Sequence, residues 1–115
     1  MKIKFRPHKL IDIKYRVKWL SDPRVTRYLG DEMMKKTTLA KQKQWFAEYK
    51  KDKKKKHFTI CDNKLPIGIV GLIKINKVNK NADLFILIGD KKYQRRGAGM
   101  LAMQFILNYG FNKLK

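Results

Sequence analysis

Leu84-Phe85-Ile86-Leu87-Ile88 leads into Gln94-Arg95-Arg96-Gly97-Ala98-Gly99, and that into Met100-Leu101-Ala102-Met103-Gln104-Phe105-Ile106-Leu107-Asn108-Tyr109. The first run is apolar at both alternating positions, the pattern of a strand covered on both faces. In the last run Leu101, Phe105 and Tyr109 recur four apart with Ala102 and Ile106 beside them, which predicts one apolar helical stripe. The middle six residues form a basic, glycine-bearing turn between strand and helix.

A turn of this kind has a chemical use. The first N–H groups of a helix have no partner within it and carry the positive end of its dipole. Glycines remove the Cβ atoms that would hold a phosphate away, so successive N–H groups can surround it. Arg95 and Arg96 add charge and forked donors at the rim. The turn is expected to hold an anionic ligand, a pyrophosphate above all.

One familiar phosphate motif fits poorly, and a second needs a residue beyond Lys115. A P-loop requires Gly-Lys-Ser/Thr at the helix start, whereas Gly99 is followed by Met100-Leu101. A dinucleotide fingerprint would put its third small residue at Ala102, but its acidic partner about twenty positions on lies beyond Lys115. Gln-x-x-Gly-x-Gly between an apolar strand and an amphipathic helix instead resembles the acetyl-CoA loop of the GNAT superfamily of N-acetyltransferases. Trp19-Leu20-Ser21-Asp22-Pro23-Arg24-Val25-Thr26-Arg27-Tyr28-Leu29 is similar to the substrate-side helices of its RimJ/RimL-like branch.

The upstream chain agrees with this order. Lys2 to Phe5 alternates and reads as a strand closed by Arg6-Pro7. Ile11, Tyr15 and Trp19 predict an amphipathic helix over 11–20, with Asp12 near its start and Ser21-Asp22-Pro23 at its end. Val25, Tyr28 and Leu29 suggest a short helical turn closed by Gly30. Thr37 or Thr38 can cap a second helix whose apolar side carries Leu39, Trp45, Phe46 and Tyr49. Residues 57–61 and 66–75 read as strands, with Gly68 and Gly71 marking a bulge or close packing, and 82–88 returns antiparallel after a polar loop. The expected class is α+β, sandwich-like, as a single domain over 1–115: strand, two helices, three antiparallel strands, phosphate-binding turn, helix.

Composition bounds the function. The chain has 115 residues, 43% of them hydrophobic, enough for one modest core. No apolar run reaches membrane-spanning length and no signal-peptide core follows Met1, so no membrane role and a cytoplasmic location are expected. Cys61, the single cysteine, reads as a small buried hydrophobe. The net charge of +20 would attract nucleic acid, anionic lipid or an acidic protein. The preferred reading is a solvated basic surface that also favours an anionic cofactor. Lys50 to Lys56 is the most basic run and suits a helix end and loop. His8 and His57 lack spaced Cys, Asp or Glu partners, so no metal is expected.

The resemblance implies a cofactor site and a reaction. Gln94, Arg95, Arg96, Gly97, Ala98, Gly99 and Met100, with Ile88, would bind acetyl-CoA, and a primary amine would attack its thioester. The acceptor would be a protein N-terminus, an amino sugar or a polyamine. Backbone at Ile88 and Gly89 would steady the oxyanion, and Asp83 is the candidate base, with pairing to a nearby lysine as its other reading. Exchange of Gly97 for a bulky residue should abolish binding with little loss of fold. Full members continue with a further strand, helix and hairpin, and a thiolate-protonating tyrosine lies on that helix. Tyr109 reads as core. Strand 82–88 would then be an open edge inviting self-association, a swapped dimer or a completing partner. A CoA-binding remnant without turnover, an assembly subunit and a basic nucleic-acid binder are the alternatives.

Overall fold

The computed structural model describes residues 2–26, 37–94 and 96–113. They divide into two compact units, one comprising Met1–His8 with Asp52–Lys115 and the other Lys9–Lys51.

The first unit is a four-stranded antiparallel sheet carrying one long helix. Its strands are β1 (Ile3–Pro7), β2 (Lys56–Asp62), β3 (Leu65–Asn76) and β4 (Asn81–Ile88), adjacent in that order. Residues with high strand propensity dominate β3 and β4, and two turns set the register. Asn63 takes φ 54° in the β2–β3 turn, and Asn76 Oδ1 accepts the N–H groups of Val78 and Asn79 between β3 and β4. The β2–β3 ladder shifts at Ile60/Cys61, and the β3–β4 ladder shifts between Ile73 and Asn76, where Lys74 has φ 54°. At Gly68, a Cβ would meet the Leu87 carbonyl oxygen at 2.2 Å, so close strand packing explains this glycine.

α5 (Ala98–Lys113) packs on this sheet. Its stripe is centred on Ala98, Ala102 and Ile106, all fully buried, with Phe105 and Tyr109 flanking. The sequence places Leu101 on that stripe, but it is 41% exposed. The two alanines explain the rotation, because small side chains let the helix axis approach the sheet. Phe58 meets Phe105 and Tyr109 edge-on with centroids 4.9 and 5.0 Å apart, which makes Tyr109 a core residue. Ile60, Val70 and Ile106, fully buried, each contribute about 1.5–3 kcal/mol by leaving water. α5 also starts at Ala98 rather than Met100, and α4 (Lys91–Gln94) precedes it where no helix is expected.

The expected cover on both faces of β4 holds only at its end. Leu87 and Ile88 are buried, whereas Leu84 is 38% exposed. β4 is the sheet's last strand, so its outer edge pairs with no other strand among the described residues.

The second unit contains a 3₁₀ turn (Leu10–Asp12), α1 (Ile13–Leu20), α2 (Pro23–Thr26) and α3 (Leu39–Tyr49). Asp12 stabilises the turn from within: its Oδ2 accepts the Lys9 N–H at 2.9 Å while its own N–H donates to the Lys9 carbonyl at 2.9 Å. Thr38 caps α3, its Oγ1 accepting the Lys41 N–H. Arg16 is buried on α1, stacked 3.7 Å from the centroid of the Trp45 ring, and its Nε donates to Gln42 Oε1 at 2.6 Å. Tyr28, Leu29 and Gly30 lie outside the described residues.

Candidate functional site

The site is built where β4 ends and α5 begins. Gly97 has φ +83°, a conformation that glycine adopts without strain. Its carbonyl accepts the Leu101 N–H at 3.1 Å, the first bond of the α5 ladder. The N–H groups of Ala98, Gly99 and Met100 therefore precede any helical acceptor. A Cβ built on Gly97 or on Gly99 meets nothing within 4 Å. Gly99 and Met100 are accessible at the positive end of this 16-residue helix, whereas Ala98 is fully buried.

Two side-chain bonds hold this turn. Gln94 Nε2 donates to the Ile88 carbonyl at 3.2 Å, tying α4 to the end of β4. Tyr93 is buried, and its hydroxyl donates to Asp62 Oδ2 at 2.6 Å. Asp62 Oδ1 also accepts the Lys2 N–H at 2.9 Å. These donors, the Lys2 amide first and the Tyr93 hydroxyl next, hold the Asp62 carboxyl below the usual carboxylate range. The same carboxylate raises the Tyr93 phenol above its ordinary value. The turn is consequently pinned to β2 and β1.

The two backbone positions at the strand end differ. The Gly89 N–H donates to the Ile67 carbonyl at 2.7 Å and is spent within the sheet. Antiparallel pairs alternate between hydrogen-bonded and open, so Ile88, opposite Gly68, directs its N–H and carbonyl to the outer edge. The Gln94 bond to that carbonyl agrees with this parity.

The remaining predicted residues are scattered. Arg96 is exposed at the rim, and its N–H donates to the Tyr93 carbonyl at 3.2 Å. Ala98 is fully buried, while Met100 is 65% exposed. Arg95 lies outside the described residues. Asp83 stands five residues before Ile88, roughly 17 Å along the strand and on its opposite face. Its Oδ2 is 3.9 Å from Lys74 Nζ, with both side chains well exposed. His8 Nδ1 lies 2.8 Å from Thr59 Oγ1, and His57 contacts Phe85 edge-on. Among the described residues, no three His, Cys, Asp or Glu side chains gather as a metal site. Nor is any described helix long and apolar enough to cross a membrane.

Comparison with known proteins places this arrangement. A family model described as an acetyltransferase (GNAT) domain matches residues 2–115. The chain belongs to the GNAT acetyltransferase family. Among solved structures it is similar to spermidine N-acetyltransferase from Vibrio cholerae in complex with CoA and spermine, at 21% identity and a TM-score of 0.88. That match covers 98% of this chain and 66% of the other. A chimera of the Vibrio cholerae enzyme with hSSAT matches at 19% identity and a TM-score of 0.83, covering 99% and 66%. This GNAT chain thus spans just under two thirds of the length of the structures it matches. Among curated proteins nothing matches. These likenesses establish the GNAT fold, an antiparallel sheet with helices, as its sequence pattern predicts.

Gln94, Tyr93 and Asp62 form the part of the candidate site that sequence reading assigns differently or misses. Gln94 is legible only as a ligand contact, because its spacing to Ile88 depends on α4. Asp62 reads as a turn residue, and nothing in its neighbourhood announces a tyrosine thirty-one positions on.

Proposed function

We propose that this chain binds acetyl-CoA at the mouth of α5 and acts as an N-acetyltransferase on a primary amine. Family membership supports the reaction class, and one structural observation supports the site: Gly99 and Met100 are accessible in the first turn of α5, beside space that Gly97 and Gly99 leave unfilled. A diphosphate fits such a donor set, since it can accept several N–H bonds while opposing the helix dipole. Arg96 adds a cation at the rim, and Gln94 acts by fixing the turn to Ile88.

The amine nitrogen attacks the thioester carbonyl carbon, and the tetrahedral oxyanion is stabilised by the outward Ile88 N–H. Collapse breaks the C–S bond, leaving an amide and the CoA thiolate. The ammonium proton passes to water, and water supplies the thiolate proton. Asp83 is too far along β4 to serve as the base, and its Lys74 partner accounts for it.

Titration calorimetry with acetyl-CoA, followed by a thiol-release assay with spermidine, glucosamine and a peptide N-terminus, tests this reading. Binding together with release on at least one amine is the expected result, and absence of binding refutes it. Binding without release would favour the second reading, a cofactor-binding subunit. The outer edge of β4 motivates that reading, because a second chain or a copy of this one can complete the sheet there.

A further inference from the structure

A second concave site lies at the opposite end of β4 from the α5 mouth. Lys53 and Lys54, just before β2, meet Lys74 and Lys77, at the end of β3 and in the following turn, around a space of about 520 Å³. Backbone bonds build the wall. The Ile75 N–H donates to the Lys54 carbonyl at 3.0 Å, and Asp52 Oδ1 accepts the Lys54 N–H at 2.8 Å. Asn76 Oδ1 fastens the turn that carries Lys77, and the ladder shift holds Lys74 at φ 54°. The four lysines are thus brought together by the fold, not by sequence adjacency.

We propose that this groove binds double-stranded nucleic acid through its phosphates. Four lysines around one concave space suit a polyanion, and no Asp or Glu is among the lining residues. Nor does any aromatic ring line it, so there is no stacking platform for single-stranded bases. Lysine as a point charge positions a backbone without reading bases. Against a membrane surface, the lining offers a single well-exposed apolar side chain, Val78, too little for a wedge. Two acids stand beside it: Asp52 spends Oδ1 on the Lys54 N–H, and the exposed contact of Asp83 with Lys74 at 3.9 Å competes weakly.

Fluorescence anisotropy with a labelled random-sequence DNA duplex tests the groove. Four phosphate contacts give a slope of log K against log salt of about −3.6, or about 150-fold weaker binding from about 50 to about 200 mM salt. The variant Lys74→Asn with Lys77→Gln should reduce that slope by about two; asparagine suits the left-handed backbone at Lys74. Lys14→Gln with Lys18→Gln removes the same charge from exposed positions on α1 and should leave the slope within about half a unit. Circular dichroism melts confirm that both variants are folded. Equal losses in the two variants would overturn the proposal in favour of a diffuse field. No duplex binding at low salt, or preferential binding to phosphatidylserine vesicles, would overturn it as well.

Discussion

The Tyr93 hydroxyl and the Asp62 carboxylate are joined by a 2.6 Å hydrogen bond that anchors the segment before α5 to the end of β2. Asp62 has a lowered folded pKa, through the Lys2 amide first and Tyr93 second. Its stabilising contribution is therefore present above the usual carboxylate range and disappears as pH falls through the lowered value. Tyr93, raised by the same bond, contributes below the ordinary phenol value and loses this as pH rises through its own. Asp62→Asn should flatten the acid limb of the stability profile, read as denaturation midpoint against pH from about 2 to about 5. Parallel curves for variant and parent would refute the linkage.

Arg16 makes the second unit sensitive to a neutral residue. Burial lowers its guanidinium to about 10, partly offset by Tyr49, and it remains charged at neutral pH. Gln42→Ala removes the 2.6 Å acceptor and should cost about 1.5–3 kcal/mol in urea denaturation. Replacing both partners, Arg16→Met with Gln42→Leu, should cost less, because neither polar group is then left buried alone. A double variant weaker than Gln42→Ala would contradict this.

The outer edge of β4 predicts self-association. Leu84 pairs opposite Leu72 at an open position, so its N–H points away from β3. Leu84→Pro removes that outward donor without removing a β3–β4 hydrogen bond. Light scattering should show the parent chain associating at high concentration and the variant shifted towards monomer. A parent that stays monomeric, or a variant that associates equally, would refute edge pairing.

Much of this was legible from residue patterns. The apolar run of β4, the glycine turn and the α5 stripe predict strand, turn and helix because alternation and four-residue recurrence are local signals. The start of α5 at Ala98 is obscured because alanine between two glycines reads as turn. The burial of Arg16 is invisible for another reason: only packing shows which cation lies over Trp45. The Gly89 amide, the Tyr93–Asp62 bond and the four-lysine groove depend on ladder parity and on contacts between distant segments. No window along the chain contains them.

Gly97 and Gly99 separate fold from function. The sequence predicts that filling Gly97 would spare the fold, but its φ of +83° makes any side chain there cost about 1–2 kcal/mol. Gly99 lies within α5 with open space before it, so Gly99→Leu should keep or raise the melting temperature, gaining up to about 1 kcal/mol of helix propensity. The side chain would nevertheless stand where the proposed diphosphate site lies. Calorimetric titration of acetyl-CoA into the parent and Gly99→Leu therefore tests the central claim most directly. A parent that binds and a folded variant at least tenfold weaker is the predicted result; equal affinity in the two would contradict it.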